Sequence, residues 1–154
     1  MTIHNVSSLE ELPIIRTLFQ EYADSLGFSL ESQNFAQELD ELPGKYAPPT
    51  GCLLLAMVDG EPAGIVALRP QSHDACEMKR LYVRPQYRKL GLGRALVERV
   101  IEEARVLGYR VLRLDTIPTL MERAVALYTA LGFERIPPYW NNVLPGAEYM
   151  ELRL

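Results

Sequence analysis

The sequence predicts an α+β domain, one mixed β-sheet with helices on both faces, and three observations carry that prediction. A continuous apolar run, Cys52–Val58, is followed by Asp59-Gly60 and a second apolar run over 63–68, the pattern of a two-residue β-hairpin. Residues 91–107 set Leu96, Val97, Val100, Ile101, Ala104 and Leu107 at helical spacing with charges between them. That helix lies between strand patterns at 76–83 and 111–115, so the three make a β-α-β unit with parallel strands.

The remaining elements follow in chain order. Ser8-x-x-Glu11 reads as a capping box opening a helix over 8–26, with Leu12, Ile15, Leu18, Phe19, Tyr22 and Leu26 on one face and Gly27 as its stop. A second short helix follows Ser32, carrying Phe35, Leu39 and Leu42 before Pro43-Gly44. The strand at 76–83 loses its alternation at Lys79-Arg80, which points to a bulge. Gly108 closes the long helix, and a further helix opens at Thr119 or its neighbour, with Ala124, Leu127, Tyr128 and Leu131 inward and Gly132 at its end. Two last strands are expected at 133–136 and 148–154.

Size and charge narrow the function classes. With 154 residues and 48% hydrophobic content, 1–154 reads as a single domain; a chain near this length buries about 70% of its unfolded surface and needs no disulfide or metal to form a core. No apolar run approaches the ~20 residues of a membrane span and the first residues lack a basic, apolar leader, so the expected location is the cytoplasm. Cys52 and Cys76 stand apart, as do His4 and His73, which offers no metal set; both thiols read as buried and inert. Neither HExxH nor GxSxG occurs.

The net charge of −4 hides an asymmetry. Residues 1–50 hold eight acids against two bases, whereas 79–94 hold Lys79, Arg80, Arg84, Arg88, Lys89 and Arg94 with no acid. An anion is expected to dock on that window. Within it, a strand runs into a basic loop, and Gly91 and Gly93 open a helix whose first N–H groups lack intrahelical partners and suit phosphate oxygens. A P-loop would need Lys-Ser or Lys-Thr after these glycines, and a dinucleotide fingerprint a small residue where Leu96 stands.

What remains is Arg88-x-x-Gly91-x-Gly93, preceded by Leu81-Tyr82-Val83, Pro85 and Tyr87 and followed by Ala124-x-x-Leu127-Tyr128-x-x-Leu131-Gly132-Phe133. These two motifs at this distance resemble the GNAT superfamily of acyl-CoA-dependent N-acetyltransferases. The resemblance is strongest over about 52–137. It implies a GNAT-like sheet of about six to seven strands with a splayed pair, 76–83 against 111–115, and acetyl-CoA as cosubstrate, without a metal. It places the CoA pyrophosphate on main-chain N–H groups of Arg88, Lys89, Leu90, Gly91, Leu92, Gly93 and Arg94, the pantetheine arm along Leu81, Tyr82 and Val83, and the acid that protonates the leaving thiolate at Tyr128.

The acceptor ammonium must lose a proton before it attacks the thioester, so a carboxylate is wanted near the acetyl group. Glu77 is the expected general base, with Asp115 or a carboxylate-water chain as the reserve. The other reading of Glu77 is a surface residue paired with Lys79 or Arg113. Arg88, Lys89 and Arg94 are expected to add their charge to the cofactor site, and Arg84 is left undecided between that role and a solvated basic face. The acceptor is an amine of a small molecule or peptide. The resemblance implies an acceptor site built from the first two helices, the loop between them and the last strand pair, which here offer Tyr22, Phe28, Phe35, Glu31, Glu38, Asp40 and Glu41 opposite Tyr139-Trp140-Asn141-Asn142, a lining suited to a cation. No nucleic acid or membrane partner is expected, and the oligomeric state, a homodimer included, is left open. A non-catalytic acyl-CoA sensor on the same fold is the rival reading.

Overall fold

The structure, a computed structural model, describes residues 1–118, 122–140 and 145–154. Its strands are β1 (Thr2–Asn5), β2 (Cys52–Val58), β3 (Glu61–Pro70), β4 (Ala75–Val83), β5 (Val111–Thr116), β6 (Glu134–Ile136) and β7 (Glu148–Arg153). The helices are α1 (Leu12–Ser25), α2 (Phe35–Asp40), α3 (Leu92–Val106) and α4 (Glu122–Ala130). The strands join in one sheet ordered β1-β2-β3-β4-β5-β7-β6, and β4–β5 is its one parallel pair.

The apolar run in β2 is explained by burial on both faces. Cys52, Leu54 and Ala56 enter one core with Leu96, Val97, Val100 and Ala104 of α3, and the same core takes in Tyr128 of α4. Leu53 and Leu55 enter the other, with Leu12, Ile15, Leu18 and Phe19 of α1 and Phe35 of α2. A strand covered by helices on both sides has no polar face to alternate with. Asp59 and Gly60 both take positive φ, 51° and 78°, as the tight hairpin requires.

Two expectations are corrected here. Ser8 caps a 3-10 turn at Leu9–Glu11, its hydroxyl accepting from the Glu10 amide, and α1 proper begins at Leu12. The strand β1 was not foreseen: four residues on a sheet edge carry too little alternation to be seen in sequence, and what holds them is the open backbone edge of β2. The predicted opening of the last helix at Thr119 lies outside the described residues.

The sheet is made functional by two irregularities in β4. Ala67 pairs with Lys79 and Ile65 with Tyr82, so Arg80 and Leu81 together oppose Val66, the predicted bulge. Arg80 sits at φ 61°, a left-handed conformation that costs an arginine on the order of 1–3 kcal/mol. Secondly, β4 and β5 are paired only at Ala75↔Val111, Cys76↔Leu112 and Glu77↔Arg113. Beyond Glu77 the two strands part, as the resemblance implied, and leave an opening in the middle of the sheet.

Candidate active site

The opening between β4 and β5 is part of a cleft of about 840 Å³. Its floor is Met78 to Val83 of β4 and Leu114 to Thr116 of β5; Tyr22 of α1 and Tyr128 of α4 close its sides, and Gly91 and Gly93 stand at its mouth. Sequence-distant motifs are therefore brought to one place. Leu81, Tyr82, Val83, Arg88, Lys89, Gly91, Leu92, Gly93 and Tyr128 all line the cleft, whereas Leu90 and Arg94 do not. Leu90 is 60% exposed, and the Arg94 guanidinium gives its Nε to Glu98 one helical turn on.

Gly91 caps α3 at φ 79°, and no side chain caps the helix start. Ala95 N is bonded to Gly91 O, which leaves the amides of 92–94 as donors without intrahelical partners. A Cβ built on Gly91 or Gly93 would meet no protein atom within 4 Å. Neither glycine is there to fit against protein; the space beside them is open to a ligand, and the donors face the charge that phosphate supplies. The residues present thus fit an acyl-CoA. Arg88 is anchored by its Nε to Val83 O and lies 5.9 Å over the Tyr82 ring, with its charge free of any acid among the described residues.

The six-base window is not a patch. Arg80 is 3% exposed and bound through Nε and Nη2 to both oxygens of Glu38. Arg84 makes the same kind of pair with Glu21 and also donates to Pro62 O, locking α1 onto β4. Lys79 contacts Asp115 at 3.3 Å. Only Arg88 and Lys89 lack an acid partner among the described residues, and both stand beside the glycines.

Tyr128 is 5% exposed, and its hydroxyl makes no hydrogen bond to a described residue. Burial first, then the proximity of Tyr22 and Asp115, pushes its phenol well above the usual range, so it stays protonated at neutral pH. Asp115, with its side chain 16% exposed, lines the cleft where β5 leaves β4.

Glu77 is placed otherwise than expected. It is fully buried, and neither Lys79 nor Arg113 is its partner. One carboxylate oxygen accepts from Arg69 Nε and Nη2 at 2.9 and 2.8 Å; the other accepts from Tyr139 Oη and Trp140 Nε1 at 2.8 and 3.0 Å. The carboxylate has no surface on the cleft and pins segment 139–140 to β3 and β4 instead. Strand facing decided this, and the bulge three residues on had hidden it.

A second cavity of about 440 Å³ adjoins the cleft and shares Gln33, Lys79 and Arg80 with it. Gln33, from a 3-10 turn at Glu31–Gln33, accepts from both Lys79 Nζ and Arg80 Nη1 on a single oxygen. Neither Gln33 nor Arg69 carried a sequence signal, since each acquires its place only through partners 40 or more residues away or across β3–β4. Of the expected acceptor-side residues, Tyr22 and Phe28 line the cleft, Phe35 is buried beneath Arg80, and Asn141 and Asn142 lie outside the described residues.

Comparison with known proteins agrees with this geometry. A model of the acetyltransferase (GNAT) family matches residues 15–133. An uncharacterized N-acetyltransferase of Schizosaccharomyces pombe is 40% identical, over 100% of this chain and 95% of its own length. The crystal structure of an acetyltransferase from Streptococcus agalactiae superposes with a TM-score of 0.79 at 19% identity, covering 99% of this chain and 98% of the other. YncA from Salmonella typhimurium, solved with its cofactor acetyl-CoA, superposes with a TM-score of 0.69 at 20% identity, covering 99% and 92%. The chain belongs to the acetyltransferase (GNAT) family and is an N-acetyltransferase.

Proposed function

We propose that this protein transfers an acetyl group from acetyl-CoA directly to an amine, with both substrates bound at once in the splay between β4 and β5. The observation that carries the reading is the meeting, in one cleft, of the uncapped glycine start of α3, the open stretch of β4 and a buried, protonated Tyr128. Acetyl-CoA supplies the activated acyl group. Main-chain amides of 91–94 hold its phosphates, with Arg88 and Lys89 adding charge, and the unpaired edge of Leu81, Tyr82 and Val83 bonds its pantetheine arm.

Asp115, rather than Glu77, takes the proton from the acceptor ammonium, directly or through one water. Its carboxylate borders the cleft, while both oxygens of Glu77 are committed elsewhere. The amine nitrogen then bonds the acyl carbon, the carbon–sulfur bond breaks, and Tyr128 gives its proton to the departing thiolate. The bulge at Arg80-Leu81 interrupts the β3–β4 ladder, and a backbone N–H freed there donates to the developing oxyanion in this reading.

A thiol-release assay with acetyl-CoA against a panel of amines, amino acids, polyamines, aminoglycosides and peptides tests this. Turnover with at least one acceptor is expected. Calorimetric binding of acetyl-CoA without thiol release from any of them would leave the chain as an acyl-CoA sensor.

A further inference from the structure

The second cavity lies next to the splay, and its lining is unlike the acidic one expected for a cationic acceptor. Its walls carry four bases, Lys45, Arg69, Lys79 and Arg80, and two acids, Glu38 and Glu41. The acids have little to offer a ligand cation. Both oxygens of Glu38 are held by Arg80, and Glu41 accepts from Gln37 at the surface. Glu31 and Asp40 do not line the cavity at all.

The donors are in the opposite condition. Arg69 gives Nε and Nη2 to one oxygen of Glu77, and its Nη1 has no acceptor among the described residues. Lys79, 5% exposed, has two long contacts, 3.3 Å to Asp115 and 3.4 Å to Gln33, for three ammonium protons. Tyr46 is 2% exposed and lines the cavity, yet its hydroxyl makes no hydrogen bond of acceptable geometry, although Glu38 and Arg80 lie near it. A buried hydroxyl left unpaired is costly and rare. Trp140 stacks 5.4 Å from the Arg69 guanidinium and forms part of the same wall.

A cavity with surplus donors converging from three elements, with its inner acid Glu38 already paired to Arg80 and Glu41 out at the surface, wants an anionic acceptor group. A planar carboxylate suits the fork of an arginine and a hydroxyl together. A volume of about 440 Å³ is at the small end of ligand cavities and suits a group of amino-acid size. We propose that the acceptor is a small amine bearing a carboxylate, held in this cavity by Arg69, Lys79 and Tyr46 while its amino group reaches into the splay past Gln33. This inference rests on the acetyl-transfer reading above and names the acceptor class for that site.

Matched acceptors test it on the full-length chain: glycine against glycinamide, L-methionine against its amide, and L-glutamate, with spermidine as a cationic control. Thiol release is expected with kcat/KM at least about tenfold higher for each acid than for its amide. In Tyr46→Phe, the acceptor KM should rise about fivefold to tenfold with kcat nearly unchanged and acetyl-CoA affinity intact. Amides or spermidine used as well as the acids would overturn the inference while leaving acetyl transfer standing. No thiol release from any amine would overturn both. A Tyr46→Phe protein that is more stable than the parent and has an unchanged acceptor KM would mark the hydroxyl as a packing feature and remove it from the site.

Discussion

Replacing Glu77 by glutamine separates two roles that the sequence could not distinguish. As a general base, Glu77 would act on substrate; as the structure has it, the carboxylate ties four donors of Arg69, Tyr139 and Trp140 to β4. Glutamine keeps one acceptor oxygen and turns an NH₂ toward donors, so two of the four bonds are lost whichever way the amide faces. It also leaves the Arg69 guanidinium, with its side chain only 18% exposed, without its counter-charge. Breaking a buried pair on one side costs about 3–5 kcal/mol, and the residual exposure of Arg69 puts this case at about 3 kcal/mol. For a domain of this size, that lowers Tm by about 6–12 °C. Calorimetry of the variant, with kcat/KM measured well below its Tm, is the assay. We expect the thermal loss, acetyl-CoA affinity within about twofold and a pH–rate profile of unchanged shape. A Tm within about 2 °C of the parent together with a kcat reduced 100-fold or more would refute the reasoning and return Glu77 to the base role.

Four further outcomes follow from the same geometry. Tyr128→Phe removes the proposed acid without removing its ring from the packing on Phe133, so kcat should fall about 100-fold or more with acetyl-CoA affinity nearly unchanged; full turnover in stopped-flow thiol detection would exclude the role. Gly91→Glu puts a side chain and a negative charge into open space beside the amides of α3 at a φ of 79°, and calorimetric titration should show no acetyl-CoA binding at concentrations that saturate the parent; tight binding would refute the phosphate site. Burial, the leading cause in each case, raises Tyr22, Tyr46, Tyr128 and Tyr139 above the ordinary value of 10.0. The folded state therefore favours the phenol, and its stabilising effect is complete below pH 10 and lost as pH rises above it. Absorbance at 295 nm should show part of the eight tyrosines ionising only with unfolding followed by circular dichroism; smooth titration of all eight near pH 10 in a folded protein would contradict it. Likewise Cys52 and Cys76, pushed up to about 12 by burial, should be silent to a thiol reagent at pH 8 until the protein is denatured.

The six strands and four helices expected from the periodicities are present, and their legibility has a common origin. The hairpin at Asp59-Gly60, the amphipathic face of α3 and the bulge at Arg80-Leu81, expected one residue earlier, each depend on backbone chemistry or spacing confined to a dozen residues. The glycine-opened mouth of the cleft was readable for the same reason, because the glycines, Arg88 and the strand before them are one short segment. Charge was misleading where it was summed along the chain. Arg80 and Arg84 look free in sequence because their partners, Glu38 and Glu21, lie 42 and 63 residues away.

By itself, then, the sequence determined every strand but β1, the four helices, the glycine-opened start of α3 and the position of Tyr128 on an inward helix face. Tertiary structure alone decided that β7 lies between β5 and β6, that Glu77 turns away from the splay, and that Glu38 of α2 is consumed by Arg80. The physical reason is range. A helix start and a turn are fixed by neighbours in sequence, whereas the charge of a cavity is fixed by which ions have already found partners, and those partners meet only when the sheet is closed by its helices.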